Sequence, residues 1–343
     1  MRVLVEIVHP ADTLFFQRPI QRFLDRGDQV IIASRHKDVA CNLLDGFGFD
    51  HQPISTAASG AQGLAAELVR RNIAIWRMVR RHRPQVMLGF GGVAISHVGR
   101  LTGVPSAVYY DSENARLQTR IAWPFVHSLT VPEDYSGPTP AGRTRRLPGV
   151  KELSFFHPGA FTPDLSRAIA AGLDPARRNV LVRMVAWRAN HDLGKSGWSA
   201  EAAERLVASL PADVKLHVSA EDDAPDALKP HMWRGDPAEA HHLMAHCDAL
   251  IGESATMASE AAVLGVPSLY AGVDFPGYTQ GLGRRGLVTL ITPDRIDELP
   301  GAAAALLADR RQFDAARAEW LADAPDWADD IVAEADRMAR RLW

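Results

Sequence analysis

Cysteine is scarce in this 343-residue sequence. It occurs only at Cys41 and Cys247, which lie far apart and form no Cys-x-x-Cys pair. This excludes a disulfide-bonded scaffold and a zinc cluster with thiolate ligands. Since disulfide-poor chains are typical of reducing compartments, we expect a cytoplasmic protein.

Long hydrophobic runs and an excess charge of one sign are also missing. The apolar stretch 3–8 is too short for a signal peptide, and no run approaches the roughly 18 apolar residues of a membrane span. The 38 basic and 41 acidic side chains leave a formal net charge of −3. No global positive field recruits nucleic acid, so we expect no nucleic-acid partner, and any membrane contact is expected to be peripheral.

What the sequence does contain is a regular alternation of short apolar runs with longer helical patterns. Apolar runs at 3–8, 85–88 and 106–110 are separated by segments with helical spacing, such as 64–82. This βαβ rhythm predicts an α/β fold in which helices cover parallel sheets. The chain is too long for one compact core, so we expect two Rossmann-like domains.

Composition suggests where the domains divide. The stretch 132–146 turns polar and carries several prolines and glycines, which indicates the end of the first core. We predict an N-terminal domain over 1–155 and a second domain over 156–320. The last segment, 321–343, has helical spacing and is expected to pack back on the first domain.

The segment 249–270, ALIGESATMASEAAVLGVPSLY, carries the strongest local signal. A buried strand ends at Gly252, and small and hydroxylated residues then open a helix. The backbone N–H groups of that helix start, with the hydroxyls of Ser254 and Thr256, predict a phosphate or diphosphate site. Glu260 lies in the following turns, where a carboxylate can accept hydrogen bonds from a ribose diol. The alternative is an ordinary helix N-cap with a solvated Glu260.

This segment resembles the nucleotide-binding stretch of GT-B glycosyltransferases and of the non-hydrolysing UDP-N-acetylglucosamine 2-epimerases. The segments HPADTLFF, GFGG, YYDSENA, KELSFFHP, VAWRANHD and GESATMASEAAVLGVP, in that order, resemble an uncharacterised prokaryotic family of that superfamily, over most of residues 1–290. The resemblance implies two Rossmann-like domains that face each other across a cleft, with a nucleotide sugar held mainly by the second. It places Glu260 at the ribose, and Ser254, Ala255 and Thr256 at the diphosphate.

A second cluster of candidate ligands follows the first strand of the second domain. The stretch 183–192, RMVAWRANHD, brings Arg183, Trp187, Arg188 and His191 to the carboxyl end of a strand, where open α/β sheets bind ligands. Either arginine has the rigid donor fork that suits a departing diphosphate. The alternative is a solvent-facing loop anchored by Trp187.

Residues for acid–base chemistry follow strands of the first domain. His9 stands at a helix start and can take a proton from an attacking hydroxyl, with Asp12 nearby to orient its ring. The glycines Gly91 and Gly92 allow an acceptor to approach the backbone. Asp111 and Glu113 offer carboxylates at the same edge, and either can replace His9 as the base. Helix capping and a tight turn are the structural alternatives.

Competing motifs are present. Residues 89–94, GFGGVA, with Asp111 downstream, fit the dinucleotide fingerprint of NAD(P)-dependent oxidoreductases, but follow a later strand instead of the first. Gly252–Thr256 is similar to a nucleophile elbow, yet no histidine follows His246, which excludes an α/β-hydrolase of that kind. His242 and His246 are spaced for a zincin helix but lack its glutamate, so we predict no bound metal.

The helix predicted over 64–83 has an apolar stripe and a basic stripe that includes Arg70, Arg77 and Arg81, with Trp76 between them. A basic amphipathic helix of this kind is typical either of a domain's outer face or of contact with anionic lipid. We therefore keep a peripheral contact with the inner membrane face as a hypothesis.

Together these features predict a metal-independent glycosyltransferase that moves a sugar from a nucleotide-diphosphate sugar, with UDP favoured, and needs no further cofactor. The acceptor is a hydroxyl or amine compound, and a lipid-linked or polysaccharide precursor fits. The alternative is a UDP-sugar 2-epimerase. An oxidoreductase and a non-catalytic nucleotide-sugar-binding protein are less favoured.

Overall fold

The computed structural model describes residues 1–36, 40–185 and 197–340. The chain divides into two compact units, and we treat each by itself. Unit 1 comprises Met1–Phe155 and the C-terminal segment from Pro325, and unit 2 comprises Phe156–Ala324. Each unit is built on its own parallel sheet.

Unit 1 contains a seven-stranded parallel sheet in the order β3-β2-β1-β4-β5-β6-β7. Its strands are β1 Arg2–Ile7, β2 Gln29–His36, β3 His51–Thr56, β4 Val86–Phe90, β5 Ser106–Tyr109, β6 Ser128–Pro132 and β7 Thr144–Leu147. Its first helices are α1 Pro10–Asp25, α2 Ala40–Gly46, α3 Gly60–His82, α4 Val93–Thr102 and α5 Arg116–Ala122, and a 3-10 turn covers Lys151–Ser154. The strand order reverses between β1 and β4, which is where such sheets bind ligands.

Unit 2 contains a five-stranded sheet in the order β12-β11-β10-β8-β9, with parallel pairing throughout. Its strands are β8 Arg178–Met184, β9 Val214–Ala220, β10 Ala249–Gly252, β11 Ser268–Tyr270 and β12 Val288–Leu290. Its helices are α6 Leu165–Ala170, α7 Ala200–Ser209, α8 Ala240–Ala245, α9 Ala255–Leu264, α10 Gly277–Arg284, α11 Leu299–Ala308 and α12 Arg311–Ala322. The order reverses between β8 and β10. Two parallel sheets covered by helices confirm the predicted α/β fold class.

Two strands of unit 1 were missed by the sequence patterns. β3 and β7 are the edge strands of the sheet, and both are only partly buried. Edge strands bury fewer side chains, so their sequences, HQPIST and TRRL, lack a clear apolar signal. The polar stretch 132–146 was expected to end the first core, and this was wrong, since β7 begins within it.

Helix α3 extends the predicted 64–83 segment at its start. Its apolar stripe turns inward, because Ile75, Met78 and Val79 are buried in the core of unit 1. Trp76 stays 38% exposed, and the guanidinium of Arg80 lies 5.5 Å from its ring centroid. In the described part of the chain, no helix is long and apolar enough to cross a membrane.

The last helix, α13 Trp327–Ala339, packs within unit 1. The indole of Trp327 is 1% exposed and donates a hydrogen bond from Nε1 to the carbonyl oxygen of Pro148 at 2.9 Å. At the helix start, the carboxylate of Asp326 accepts two bonds from the guanidinium of Arg18, at 2.9 and 2.6 Å. Helix α13, nearly 200 residues after β6 in sequence, thus packs into the core beside the unit 1 sheet.

Trp327→Ala should lower the free energy of unfolding of unit 1 by about 3–5 kcal/mol, because it leaves a cavity and an unpaired carbonyl. Hydrogen exchange of the β4 and β5 amides in native buffer measures this. The matched control is Leu117→Ala, whose side chain is 73% exposed and should have little effect. Unchanged protection in the Trp327 variant would show that α13 adds nothing to the stability of unit 1.

Candidate functional site

The first candidate site lies at the carboxyl ends of β1 and β4 in unit 1. His9 is the N-cap of α1, and its Nδ1 accepts a hydrogen bond from the backbone N–H of Ala11 at 3.2 Å. Asp12 completes a capping box, since its Oδ2 accepts from the N–H groups of Val8 and His9 at 3.0 and 2.9 Å. The imidazole of His9 is exposed, whereas Asp12 is buried. The structural alternative of helix capping is therefore present, and proton transfer by His9 stays a prediction.

Asp12 is the most strongly perturbed carboxyl group of this site. Burial raises its pKa to about 7, and the nearby Glu6 adds to the rise. The two backbone hydrogen bonds and the Arg71 guanidinium act in the opposite direction but do not cancel the burial effect. Asp12 therefore exchanges its proton near neutral pH, which is a property of acid–base groups.

Glu6 and Arg71 were not identified from the sequence. Glu6 is 1% exposed in the middle of the sheet, and Nη2 of Arg71 on α3 donates to its Oε1 at 2.5 Å. Oε2 of Glu6 and Nε of Arg71 are buried without a hydrogen-bond partner. A glutamate inside the otherwise apolar run VLVEIV was the available signal. Its arginine comes from 65 residues further along the chain, which no local pattern predicts.

Gly91 and Gly92 form the turn from β4 into α4. Both have left-handed backbone angles, with φ of 70° and 45°. A Cβ on Gly91 would lie 2.1 Å from Nε2 of Gln118, and one on Gly92 would lie 2.6 Å from Cγ2 of Val108. A tight strand-to-helix turn thus accounts for both glycines. Approach of an acceptor at this turn stays a prediction.

Asp111 follows β5 and forms a buried ion pair with Lys151 from the 3-10 turn. The Lys151 ammonium lies 2.5 Å from Oδ2 of Asp111 and 3.0 Å from Oε1 of Glu152. Ser112 Oγ donates to the other carboxylate oxygen of Asp111 at 2.9 Å. The sequence analysis quoted the KELSFF stretch but did not assign Lys151. Lys151 and Ser112 occupy one oxygen each of this carboxylate, so it has fewer positions left to accept hydrogen bonds from a ribose, which counts against the oxidoreductase alternative.

The acid–base candidates of unit 1 do not form one tight cluster. His9 follows β1 and Asp111 follows β5, and β4 lies between those strands, so the strand ends are about 10 Å apart. Oε1 of Glu113 accepts from the N–H and hydroxyl of Ser136, at 3.0 and 3.3 Å. Glu113 therefore helps to position the loop that follows β6.

The second candidate site lies at the carboxyl ends of β8 and β10 in unit 2. Ser254 is the N-cap of α9, and its hydroxyl accepts from the N–H of Met257 at 3.2 Å. The first N–H groups of a helix have no intrahelical partner, so those of Ala255 and Thr256 suit an anion. Gly252 is required here, since a Cβ would lie 2.4 Å from the carbonyl oxygen of Arg183.

Glu260 is buried, whereas the N-cap alternative expected it to be solvated. It is 6% exposed, not solvated, in the second turn of α9. Its Oε2 lies 3.5 Å from Nε2 of His241 on α8. A buried carboxylate with one imidazole neighbour retains capacity to accept further hydrogen bonds.

Arg183, the predicted phosphate ligand, already has protein partners. Its Nη1 donates to Ser219 Oγ at 2.7 Å, and its Nη2 is paired with the carboxylate of Glu221 on the adjacent strand end. Its Nε is buried without a hydrogen-bond partner. A diphosphate would have to compete with Glu221 for this guanidinium. Trp187, Arg188 and His191 lie outside the described residues.

Glu253 was also missed by the sequence analysis. It is 3% exposed, and its carboxylate accepts from the N–H groups of Val185 and Trp198, at 3.1 and 2.8 Å. It thereby fixes the backbone beside β8. Because Glu253 stands between Gly252 and Ser254 in the predicted phosphate-binding stretch, the sequence alone did not separate a structural role from a ligand-binding role.

His242 on α8 has a structural partner. Nδ1 of His242 accepts from the backbone N–H of Asp164 at 3.0 Å, and the side chain is buried. Within residues 1–36, 40–185 and 197–340, no group of three or more His, Cys, Asp or Glu side chains is placed to hold a metal ion.

Comparison with known proteins gives two kinds of match. Residues 1–137 match the model of a family described as a protein of unknown function, DUF354. No curated protein matches the chain. The sequence match is thus confined to the first part of unit 1.

Solved structures match over nearly the whole chain. UDP-GlcNAc 2-epimerase from Neisseria meningitidis, bound to UDP-GlcNAc, has a TM-score of 0.72 at 11% identity and covers 98% of this chain and 99% of its own. Spinosyn rhamnosyltransferase with its spinosyn aglycone has a TM-score of 0.67 at 15% identity, covering 96% and 99%. The same enzyme with thymidine diphosphate has a TM-score of 0.64 at 16% identity, covering all of both chains.

These matches confirm the fold that the resemblance implied. The fold is that of GT-B glycosyltransferases and UDP-GlcNAc 2-epimerases, and the N-terminal part resembles an uncharacterised family. At such low identities the likeness establishes the fold only.

Titration of Asp12 gives a measurable dependence of stability on pH. Its pKa is about 7 in the folded protein and 3.8 in the unfolded chain. The folded state holds a proton that the unfolded chain releases in this window, so stability falls as pH rises from about 4 to 7. Asp12→Asn keeps an accepting oxygen for the capping box and removes the titration. The stability difference between the two proteins should change by up to roughly 4 kcal/mol across that window.

Urea unfolding of both proteins at several pH values measures this difference. Asp50→Asn is the control, since Asp50 is exposed and its replacement should leave the pH dependence unchanged. Parallel stability curves for wild-type and Asp12→Asn proteins would mean that Asp12 titrates normally.

Proposed function

We propose that this protein is an enzyme that uses a nucleotide-diphosphate sugar, and that it is a metal-independent glycosyltransferase with a preference for UDP-sugars. The observation that carries the proposal is the buried carboxylate of Glu260, one and a half turns after the N-terminus of α9, at the strand-order reversal of unit 2. A diphosphate at the helix start and a ribose diol at the carboxylate match the chemistry of this pair.

The structural relatives support a nucleotide-sugar substrate. One is described with UDP-GlcNAc bound and another with thymidine diphosphate. Both ligands contain a diphosphate joined to a pentose; the uridine ligand carries the ribose diol, whereas the deoxyribose of thymidine has only the 3′-hydroxyl. We therefore assign unit 2 to the donor and unit 1 to the acceptor and its proton.

The proposed reaction is a displacement at the anomeric carbon of the donor sugar. A base in unit 1 takes the proton of the acceptor hydroxyl or amine, whose oxygen or nitrogen then bonds to the anomeric carbon. The bond between that carbon and the diphosphate oxygen breaks, and the N–H groups at the start of α9 stabilise the departing charge. Arg183 adds a positive charge if the diphosphate displaces Glu221.

One observation favours an epimerase as the second candidate. Epimerisation at C2 requires a proton to be removed and returned on carbon, and Asp12 has a pKa of about 7, suited to both steps. Incubation with UDP-sugars alone separates the two functions. An epimer indicates an epimerase, whereas UDP release that depends on an added acceptor indicates a transferase. Binding with neither product leaves a non-catalytic nucleotide-sugar-binding protein.

Glu260→Ala should weaken binding of UDP by about 1–3 kcal/mol, because a hydrogen bond from ribose to a charged, buried acceptor is lost. Glu260→Gln keeps the volume and one accepting oxygen, so its loss should be smaller. Calorimetric titration with UDP measures both. Glu204→Ala, an exposed glutamate on α7, is the control. Wild-type affinity in the Glu260→Ala protein would reject the ribose assignment.

His9→Ala should lower turnover about 10²–10⁴-fold with little change in UDP affinity, if His9 is the general base. Asp111→Asn tests the rival base in the same assay. If Asp111→Asn abolishes turnover and His9→Ala does not, the carboxylate is the base and His9 only caps α1. Retained turnover with reduced stability in both proteins would leave both residues purely structural.

A further inference from the structure

A polar pocket lies in unit 1 at the end of the sheet where the strands begin, opposite the candidate site at the strand carboxyl ends. It is formed at the amino-terminal ends of β6 and β7, where His127 and Arg143 immediately precede the strands. Its volume is about 260 Å³, and its principal lining side chains are Arg100, Phe125, His127, Arg143, Arg145 and Arg337. Four arginines from α4, the β6–β7 connection, β7 and α13 thus converge on one cavity.

Two of these arginines are matched by carboxylates. Nη2 of Arg145 lies 2.6 Å from Asp330, and its Nη1 lies 3.1 Å from Glu334. Arg337 pairs with Glu334 at 2.6 Å. The pairs of Arg145 join α13 to β7, the pair of Arg337 lies within α13, and the four side chains together carry no net charge.

The other two are not matched. Arg143 donates to the carbonyl oxygens of Val126 and Pro124, at 2.6 and 3.3 Å, which orients its guanidinium without neutralising it. Arg100 is exposed in the last turn of α4. Within the described residues, no carboxylate lies within salt-bridge distance of Arg100 or Arg143. The pocket therefore carries two uncompensated positive charges.

The protonation of His127 is affected by these two positive charges. Its Nδ1 lies 3.1 Å from Ser106 Oγ and accepts from the Ser106 N–H at 3.3 Å. Burial lowers the pKa of His127, and the charges of Arg100 and Arg143 lower it further. The ring is therefore neutral at physiological pH and adds hydrogen-bonding capacity instead of charge.

We propose that this pocket binds a phosphate monoester dianion. Guanidinium groups offer parallel N–H donors that match phosphate oxygens, and two uncompensated charges balance a dianion. The cavity volume admits a phosphate with a small substituent and is too small for a nucleotide sugar. The site is separate from the proposed donor and acceptor sites, which lie at strand carboxyl ends, and it does not depend on the proposed function.

One lining side chain of the pocket is aromatic. The Phe125 ring is 40% exposed and lies 5.1 Å from the His97 ring. An apolar substituent on the phosphate can pack against this exposed ring. The same chemistry is offered by a soluble phosphate ester and by the headgroup of an anionic lipid.

Two binding assays on the full-length protein distinguish these sources. Calorimetry with inorganic phosphate and glycerol 3-phosphate tests the soluble ligand. Co-sedimentation with phosphatidylcholine vesicles that contain phosphatidic acid, compared with phosphatidylcholine alone, tests the lipid. Binding in either assay should weaken as ionic strength rises.

Arg100→Gln should reduce affinity at least about tenfold in whichever assay shows binding, and Arg100→Glu should abolish it. Because Arg100 is exposed and unpaired within the described chain, both variants should fold, which circular dichroism checks. Arg120→Gln, an exposed arginine on α5 outside this pocket, is the control. Phe125→Ala should weaken vesicle binding more than phosphate binding.

Absence of binding to phosphate, glycerol 3-phosphate and both kinds of vesicle overturns the proposal. So does binding that Arg100→Gln and Arg100→Glu leave intact, since the anion then binds elsewhere. Binding confined to one assay supports the site and identifies its source of phosphate.

Discussion

Burying a carboxylate costs several kcal/mol unless hydrogen bonds or a cation compensate it, and this constraint shapes both candidate sites. At the carboxyl ends of the strands, different groups compensate the buried carboxylates. Glu253 accepts two backbone N–H bonds, and Asp111 takes the ammonium of Lys151. Asp12 accepts two backbone N–H bonds but remains undercompensated, so its pKa rises to about 7. The least compensated carboxylates are the ones available for chemistry or for a ligand.

This distinction separates structural from functional acids among the sequence candidates. From the sequence, Asp111 and Glu113 after β5 were as good candidates for acid–base chemistry as Asp12 after β1. The structure pairs Asp111 with the ammonium of Lys151 and gives Oε1 of Glu113 two donors from Ser136. Glu260 has a single imidazole at 3.5 Å, longer than a hydrogen bond, and so keeps its accepting oxygens. Ligand chemistry in unit 2 therefore rests on Glu260 more than on the neighbouring Glu253.

Local patterns predicted most of the fold, because buried parallel strands and amphipathic helices have strong periodic signals. The helix predicted to open after Gly252 is observed as α9, Ala255–Leu264. The edge strands β3 and β7 were missed because their residues are half exposed. The partners of Asp111 and Glu6 lie 40 and 65 residues away in sequence, and only the folded sheet brings them together. The positions of the candidate side chains at strand ends were thus predictable from the sequence, whereas their hydrogen-bond and ion-pair partners were not.

The net charge of the whole chain does not reveal local groups of like charge. A net charge of −3 excluded a global positive field, yet four arginines meet at the amino-terminal ends of β6 and β7. Of these four arginines, the acidic residues of α13 pair with Arg145 and Arg337. Because the two ends of the same parallel sheet carry different residues, one end gathers acids beside helix starts and the other gathers cations. The sheet of unit 1 thereby offers two chemically different surfaces, and an anion bound at the cationic end need not compete with a ligand at the acidic end.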